Sequence, residues 1–362
     1  MYKSFRVKNF RCFKDLQIND LGRVNLIAGK NNTGKTALME AMYIFTKPLT
    51  PGVLYQLQEA RGLDIPSDEL PAHWKQFFYR LDSSLRIAIR SIDVKSNSCQ
   101  ELTITEHDST RQNFHLLENL RMDLLKYGVA GTDSRAVVGT IDRFLEFELR
   151  SNEEESESVW FFASPWIYRN RDAEQLSYFI PVQGRPGVQQ VSNQFSQLEI
   201  DGTVPVLIEV LRIFAPEIDD LRLLSPDGNL VIWADLNGIR LPLRAMGEGM
   251  NVISNFAITM LTNPACVIFI DEIENGIHHS VQCKVWQAIG KLARELDIQV
   301  FATTHSLEMI RSAYEAFKDD DPYEFRYHRL DRKTDGNIEA VTYNKFGMDA
   351  VAAFDFEYEV RG

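Results

Sequence analysis

The segment Gly29-Lys30-Asn31-Asn32-Thr33-Gly34-Lys35-Thr36 limits what this chain can fold into more than any other stretch. An apolar run over residues 23–28 leads into it, and residues 36–45 after it are apolar at helical spacing. Strand, G-x-x-x-x-G-K-T loop and helix thus occur in the order a phosphate-binding loop requires. The glycines let backbone N–H groups curl around phosphate oxygens at a helix N-terminus, where the dipole favours negative charge. In this Walker A reading Gly29, Asn31, Asn32, Thr33 and Gly34 form the cradle for ATP. Lys35 contacts the β- and γ-phosphates, and the Thr36 hydroxyl binds Mg²⁺.

Two further strand ends carry matching chemistry. Cys266-Val-Ile-Phe-Ile-Asp271-Glu272 reads as a buried strand that delivers Asp271 toward a metal and Glu272 toward a water positioned for in-line attack. Phe301-Ala-Thr-Thr-His305-Ser306 follows another apolar strand, so His305 is expected at the same sheet edge, in contact with the γ-phosphate. Lys35 and Asp271 are separated by well over half of the chain. Compact P-loop folds keep these motifs within one or two β-α units, so the core is split by a large intervening segment, as in ATP-binding-cassette (ABC) heads.

The balance of 39 basic against 51 acidic residues, net −12, is opposite in sign to that of a chain built mainly to coat nucleic acid, although a local basic patch is compatible with it. Cys12, Cys99, Cys266 and Cys283 are scattered without a C-x-x-C pair, which argues against a zinc site or disulfide framework and fits a cytoplasmic location. The N-terminus has no apolar signal region, and no apolar run is long enough to span a bilayer, so no membrane role is expected.

Residues 2–8 and 15–18 alternate like an antiparallel pair, and β segments are expected over 84–94, 99–107, 144–150 and 158–163, with a helix at 113–127. The acidic run 152–157 reads as a solvated hairpin loop. Further on come a helix at 203–214 and two strands within 221–233 joined at Pro226-Asp227-Gly228. Helix 249–261, strand 266–270, helix 279–296, strand 299–303 and helix 306–317 follow, an alternation that implies a parallel-sheet core. The expected division is 1–95 for the first half of the ATPase core, 96–194 for an insertion with lobe elements, and 195–362 for the second half. The fold class is α/β, a P-loop NTPase of ABC type with a β-rich first lobe and a helical/β insertion.

NFRCFKD, GKNNTGKT, PLRAMGEGM, VIFIDEIENGIHHS and TTHS together resemble the OLD/RecF group of ABC-type ATPases, named for overcoming lysogenization defect and related to the heads of structural-maintenance-of-chromosomes proteins. The resemblance covers roughly 1–80 and 195–345. It implies that Gly247, Glu248 and Gly249 take the place of the ABC signature, presenting N–H groups to the nucleotide of another subunit, although LSGGQ itself is absent. It also implies a D-loop at 274–279 across a dimer interface, a Q-loop glutamine that is Gln56 or Gln58, and an approach of Arg11 and Phe13 to base or ribose. Full-length OLD nucleases carry a Toprim nuclease domain after the ATPase, and too little chain follows His305 for one. Asp319-Asp320-Asp321 mimics a metal-binding D-x-D but follows a helix rather than a strand, and reads as a solvated loop.

The resemblance implies a Mg²⁺-dependent ATPase that works as a homodimer or higher oligomer and controls a separate effector, a Toprim-type or other nuclease in phage defence. A RecF-like DNA-binding protein of repair, a transporter ATPase subunit and an ATP-bound scaffold that hardly hydrolyses are the alternatives, and no base-reading motif separates ATP from GTP. Lys35→Ala is expected to weaken ATP binding. Unchanged affinity by calorimetry would count against the Walker A assignment.

Overall fold

The computed structural model describes residues 1–50, 52–63, 73–94, 97–108, 143–151, 155–162, 177–180, 188–226, 228–264 and 266–353, so the helix expected over 113–127 and the turn residue Asp227 lie outside the described residues. The chain begins with β1 (Tyr2–Phe10) and β2 (Phe13–Ile18), paired antiparallel. β3 (Val24–Gly29) runs into the glycine-rich loop, and α1 (Lys35–Phe45) and α2 (Val53–Glu59) follow. β4 (Ile87–Asp93), β5 (Cys99–Asp108), β6 (Arg143–Ser151) and β7 (Glu155–Phe162) continue the first sheet, which is antiparallel in the order β2-β1-β4-β5-β6-β7. Of the acidic run expected to be a loop, residues 155–157 open β7 instead, and 152–154 lie outside the described residues.

Next come β8 (Ser177–Ile180), α3 (Val188–Ile200), α4 (Val204–Arg212) and a three-stranded antiparallel sheet of β9 (Ile218–Leu224), β10 (Val231–Leu236) and β11 (Ile239–Pro242). α5 (Glu248–Thr262), β12 (Val267–Ile270), α6 (Gln282–Glu295), β13 (Gln299–Thr303) and α7 (Leu307–Phe317) form the α/β alternation read from the sequence. β14 (Phe325–Arg332), β15 (Ile338–Tyr343) and α8 (Lys345–Ala353) complete it. The second six-stranded sheet has the order β15-β14-β3-β13-β12-β8 and is parallel except for β15.

The parallel strands are apolar on both faces because both are covered. Phe269 and Phe301 are cross-strand partners that stack 5.4 Å apart and face the first lobe with Phe5 and Phe45. Their neighbours Ile268, Ile270 and Val300 point the other way, into the core formed with Phe256 of α5, Trp286 of α6 and Met309 of α7. This period-two division makes one sheet the wall between two cores. Among the described residues no helix is long and apolar enough to cross a membrane.

The sheet also contains a buried polar joint. Asn25 of β3 donates through Nδ2 to the carbonyls of Gly22 and Val300 at 2.8 and 3.2 Å, and its Oδ1 accepts from Gly22 N at 2.8 Å. His328 of β14 lies with Nε2 3.2 Å from that same Oδ1 and Nδ1 3.0 Å from the Thr342 hydroxyl. Complete burial, with the Arg326 charge nearby, pushes the imidazole from its ordinary 6.5 down to about 3, so the fold holds it neutral. The unfolded chain binds the proton first. The stabilisation is present above the unfolded value and is lost as pH falls from about 6.5 toward 3. Compared with His328→Gln, the native protein is expected to lose about 1.4 kcal/mol more per pH unit across that window in urea unfolding. Parallel pH profiles for the two proteins would show that the ring is not held neutral.

Candidate nucleotide-binding site

The glycine-rich loop is shaped by what surrounds it. Gly29 has φ +149°, and a Cβ there would lie 2.5 Å from the Leu330 carbonyl oxygen of β14. Gly34 has φ +89°, and a Cβ there would lie 2.6 Å from Cys12 Sγ and 2.7 Å from the Phe13 ring. Phe13 is itself buried, so the β1–β2 corner forms the wall against which α1 starts. Asn32 takes the left-handed φ +64°, its carbonyl oxygen accepting from Arg332 Nη2 at 2.6 Å, and the Thr33 hydroxyl donates to Lys30 O at 2.8 Å. Lys35 curls back over the loop, with Nζ donating to the carbonyls of Gly29 and Lys30 at 2.9 and 3.1 Å. Burial lowers its affinity for the proton, opposed by the charges of Asp271, Glu272 and Glu274.

β13 lies between β3 and β12, which brings the three motifs to one sheet edge. The Thr303 hydroxyl at the end of β13 donates to Asp271 Oδ1 at 2.5 Å and accepts from the backbone N–H of Glu272 at 2.8 Å. On its other side Asp271 accepts from the Thr36 hydroxyl, at 3.1 Å to Oδ2 and 3.3 Å to Oδ1. Burial pushes the Asp271 carboxyl above its usual range, while the two threonine hydroxyls act against that shift. Glu272, at φ +48°, turns away from the strand. Its Oε2 accepts from Asn275 Nδ2 at 3.0 Å, and its Oε1 lies 3.7 Å from His305 Nε2. The His305 backbone N–H donates to Glu274 Oε1 at 2.7 Å, tying the β13 end to the turn after β12.

Among the described residues no group of three or more His, Cys, Asp or Glu could hold a metal ion by itself. One hydroxyl and one carboxylate in contact, Thr36 and Asp271, instead suit Mg²⁺, which keeps water and takes substrate phosphate oxygens for its remaining positions. The donor set fits the ion expected from the sequence.

Other candidate residues fall elsewhere. Gly247, at φ +106°, opens α5, and a methyl group added there would meet nothing within 4 Å. One added at Gly249 would meet only Gly276 O, at 3.8 Å, and Glu248 packs along Gly276. This turn therefore rests on the 274–279 segment and leaves an open face. Arg11 forms an ion pair through Nε with Glu40 Oε2 at 2.6 Å and stacks 4.7 Å from the Phe77 ring centre. Gln58 is buried in α2, whereas Gln56 accepts from the Tyr43 hydroxyl at 3.4 Å. Asp320 pairs with Arg294 at 2.7 Å, and that acidic turn follows α7, as read from the sequence. Sequence reasoning missed Thr303, Glu40 and Arg332. The one available signal was Glu40, a lone acid in the apolar helix KTALMEAMYIF.

An α/β sheet with a glycine loop, a buried aspartate and a following glutamate at one edge defines a P-loop nucleotide-binding protein. The model of the AAA ATPase domain matches residues 1–129 and 170–310, and the chain belongs to that family. Over 353 residues it is 23% identical to the ATP/GTP phosphatase of Helicobacter pylori (strain ATCC 700392 / 26695), an alignment spanning 89% of this chain and 90% of that protein. A 45-residue stretch, 12% of this chain and 20% of the relative, is 42% identical to an uncharacterized protein of Methanocaldococcus jannaschii. Solved structures similar to it include an Smc head bound to the C-winged helix domain of ScpA, with a TM-score of 0.49 and 12% identity over 96% of this chain and 99% of that one. The SMC head domain from Thermotoga maritima gives a TM-score of 0.45 and 11% identity over 95% and 99% of the two chains.

Gly34→Ala adds a methyl group at a left-handed φ and against Phe13, and is expected to destabilise by about 1–3 kcal/mol in urea unfolding while weakening nucleotide binding. Gly52→Ala, at φ −58° with nothing near, is the control and is expected to be neutral or mildly stabilising.

Proposed function

We propose that this chain hydrolyses ATP to ADP and phosphate in a Mg²⁺-dependent reaction, at a site that a second copy of the chain completes. The observation that carries the proposal is the Thr303 hydroxyl, which joins Asp271 to the backbone of Glu272 and so couples the metal-binding carboxylate to the residue placed for water activation.

The backbone amides of 31–36 and Lys35 hold the β- and γ-phosphates, and the ammonium leaves the Gly29 and Lys30 carbonyls to do so. Thr36 and Asp271 hold Mg²⁺, which when bound offsets charge on the phosphate oxygens. Glu272 accepts a proton from the attacking water as the new O–P bond forms at the γ-phosphorus, and the bond to the β-bridging oxygen breaks with its electron pair leaving on ADP. The imidazole of His305, 3.7 Å from Glu272, is placed to orient that carboxylate and to contact the γ-phosphate. Asn275 holds the other carboxylate oxygen.

Completion by a second copy is supported by the open turn at Gly247–Gly249, which starts a fifteen-residue helix and so suits a phosphate brought by another molecule. The ATP/GTP phosphatase of Helicobacter pylori, alignable over most of both chains, supports hydrolysis of a purine nucleoside triphosphate. The resemblance to the OLD/RecF group supports control of a separate effector, a Toprim-type or other nuclease in phage defence, by the ATP-bound dimer.

Glu272→Gln tests the reading. The variant is expected to bind Mg-ATP normally, to lower turnover about 10²-fold or more, and to accumulate a nucleotide-bridged dimer in light scattering. Turnover at the native rate would remove Glu272 from the mechanism, and a monomer at saturating ATP would remove the composite site.

A further inference from the structure

Glu40 is only 1% exposed, in the middle of α1, and nothing in the hydrolytic scheme above uses it. It lies four residues after Thr36, which places both on one face of the helix, a single turn apart. A buried carboxylate of this kind persists only if it is paired. Glu40 has two partners: its Oε2 is 2.6 Å from Arg11 Nε, and its Oε1 accepts from Arg61 Nε at 2.7 Å. Burial pushes its carboxyl up, and the two arginines pull it back down.

The two arginines differ in what they leave free. Arg11 is 12% exposed and lies over the Phe77 ring, so its guanidinium is fixed inside the protein. Arg61, in the turn after α2, is 37% exposed. It uses Nε on Glu40, and its two terminal nitrogens have no hydrogen-bond partner among the described residues. Arg11 thus locks Glu40, and Glu40 holds Arg61 by one nitrogen with the other two free, one helical turn from Thr36.

We propose that Arg61, oriented by the Arg11–Glu40 pair, binds the terminal phosphate of the nucleotide and acts as a further catalytic residue, with Glu40 as its positioning residue. The proposal rests on the reading of the site as one for nucleoside triphosphates. A guanidinium with two free nitrogens matches a phosphate in a fork of two parallel hydrogen bonds. Charge that spreads over the equatorial oxygens during transfer is stabilised most by such a fixed donor.

The test compares the native chain with Arg61→Ala, Arg61→Lys and Glu40→Gln by calorimetry with ATPγS and with ADP, both with Mg²⁺, alongside steady-state hydrolysis. The native chain is expected to prefer ATPγS over ADP. Arg61→Ala is expected to lose about tenfold or more of that preference, with ADP affinity unchanged, and to lower kcat about 10²-fold while KM shifts far less. Arg61→Lys restores part of both. Glu40→Gln shifts both in the direction of Arg61→Ala; an unaltered preference in that variant would overturn the positioning role. Arg61 is exposed, so its substitution is compatible with folding, and circular dichroism checks this. An unchanged ATPγS preference in Arg61→Ala, or equal losses for both nucleotides, would overturn the assignment to the terminal phosphate. Absence of turnover in the native chain would sink the hydrolase reading instead, and the ATPγS-to-ADP ratio would still decide the role of Arg61.

Discussion

The Thr303 hydroxyl is the smallest part of the site and the one on which its geometry depends. A hydroxyl has one proton to donate and can accept as well, and Thr303 uses both capacities, on the two residues that follow β12. The bond to Asp271 opposes the upward push that burial exerts on that carboxyl. The bond from Glu272 N holds that residue in a left-handed conformation that a glutamate rarely adopts. Strain of this kind persists only where surrounding contacts fix it, and here those contacts come from the strand inserted between the phosphate loop and Asp271.

That insertion is possible because the parallel sheet is apolar on both faces. Phe269 and Phe301 seal it against the first lobe, while Ile268, Ile270 and Val300 seal it against the helices. Hydrophobic burial sets the register of β3, β13 and β12, and the register then places three polar strand ends level with one another. The chemistry needs few polar groups in the interior. Among the buried polar groups outside the phosphate loop are the Asn25–His328 joint and Glu40, each held by specific partners.

Much of this was legible in the sequence because the relevant signals are local. The phosphate loop, the strands ending at Asp271 and Thr303, and helices α5 to α7 announce themselves through apolar runs, glycine spacing and helical periodicity. β14 was not read because FRYHRLDR looks like a polar strand, and only the tertiary joint with Asn25 explains a buried histidine there. β8 has four residues and gains its place by pairing with β12. The partners of Arg11 were hidden for the same reason: a sequence places Arg11, Glu40 and Arg61 in three separate segments, and the fold brings them onto one carboxylate.

The close approach of β14 to the phosphate loop has a kinetic side. Gly29 lies under the Leu330 carbonyl, Asn32 is held by Arg332, and β3 pairs with β13 on one side and β14 on the other. All of these partners are synthesised some 270 residues or more after the loop they shape. Contacts so distant along the chain form late, after the entropy of closing a long loop has been overcome. On the ribosome the glycine-rich segment therefore emerges without its sheet neighbours, and a competent nucleotide pocket appears only once residue 332 has left the exit tunnel. Nucleotide binding thus reports completion of the fold.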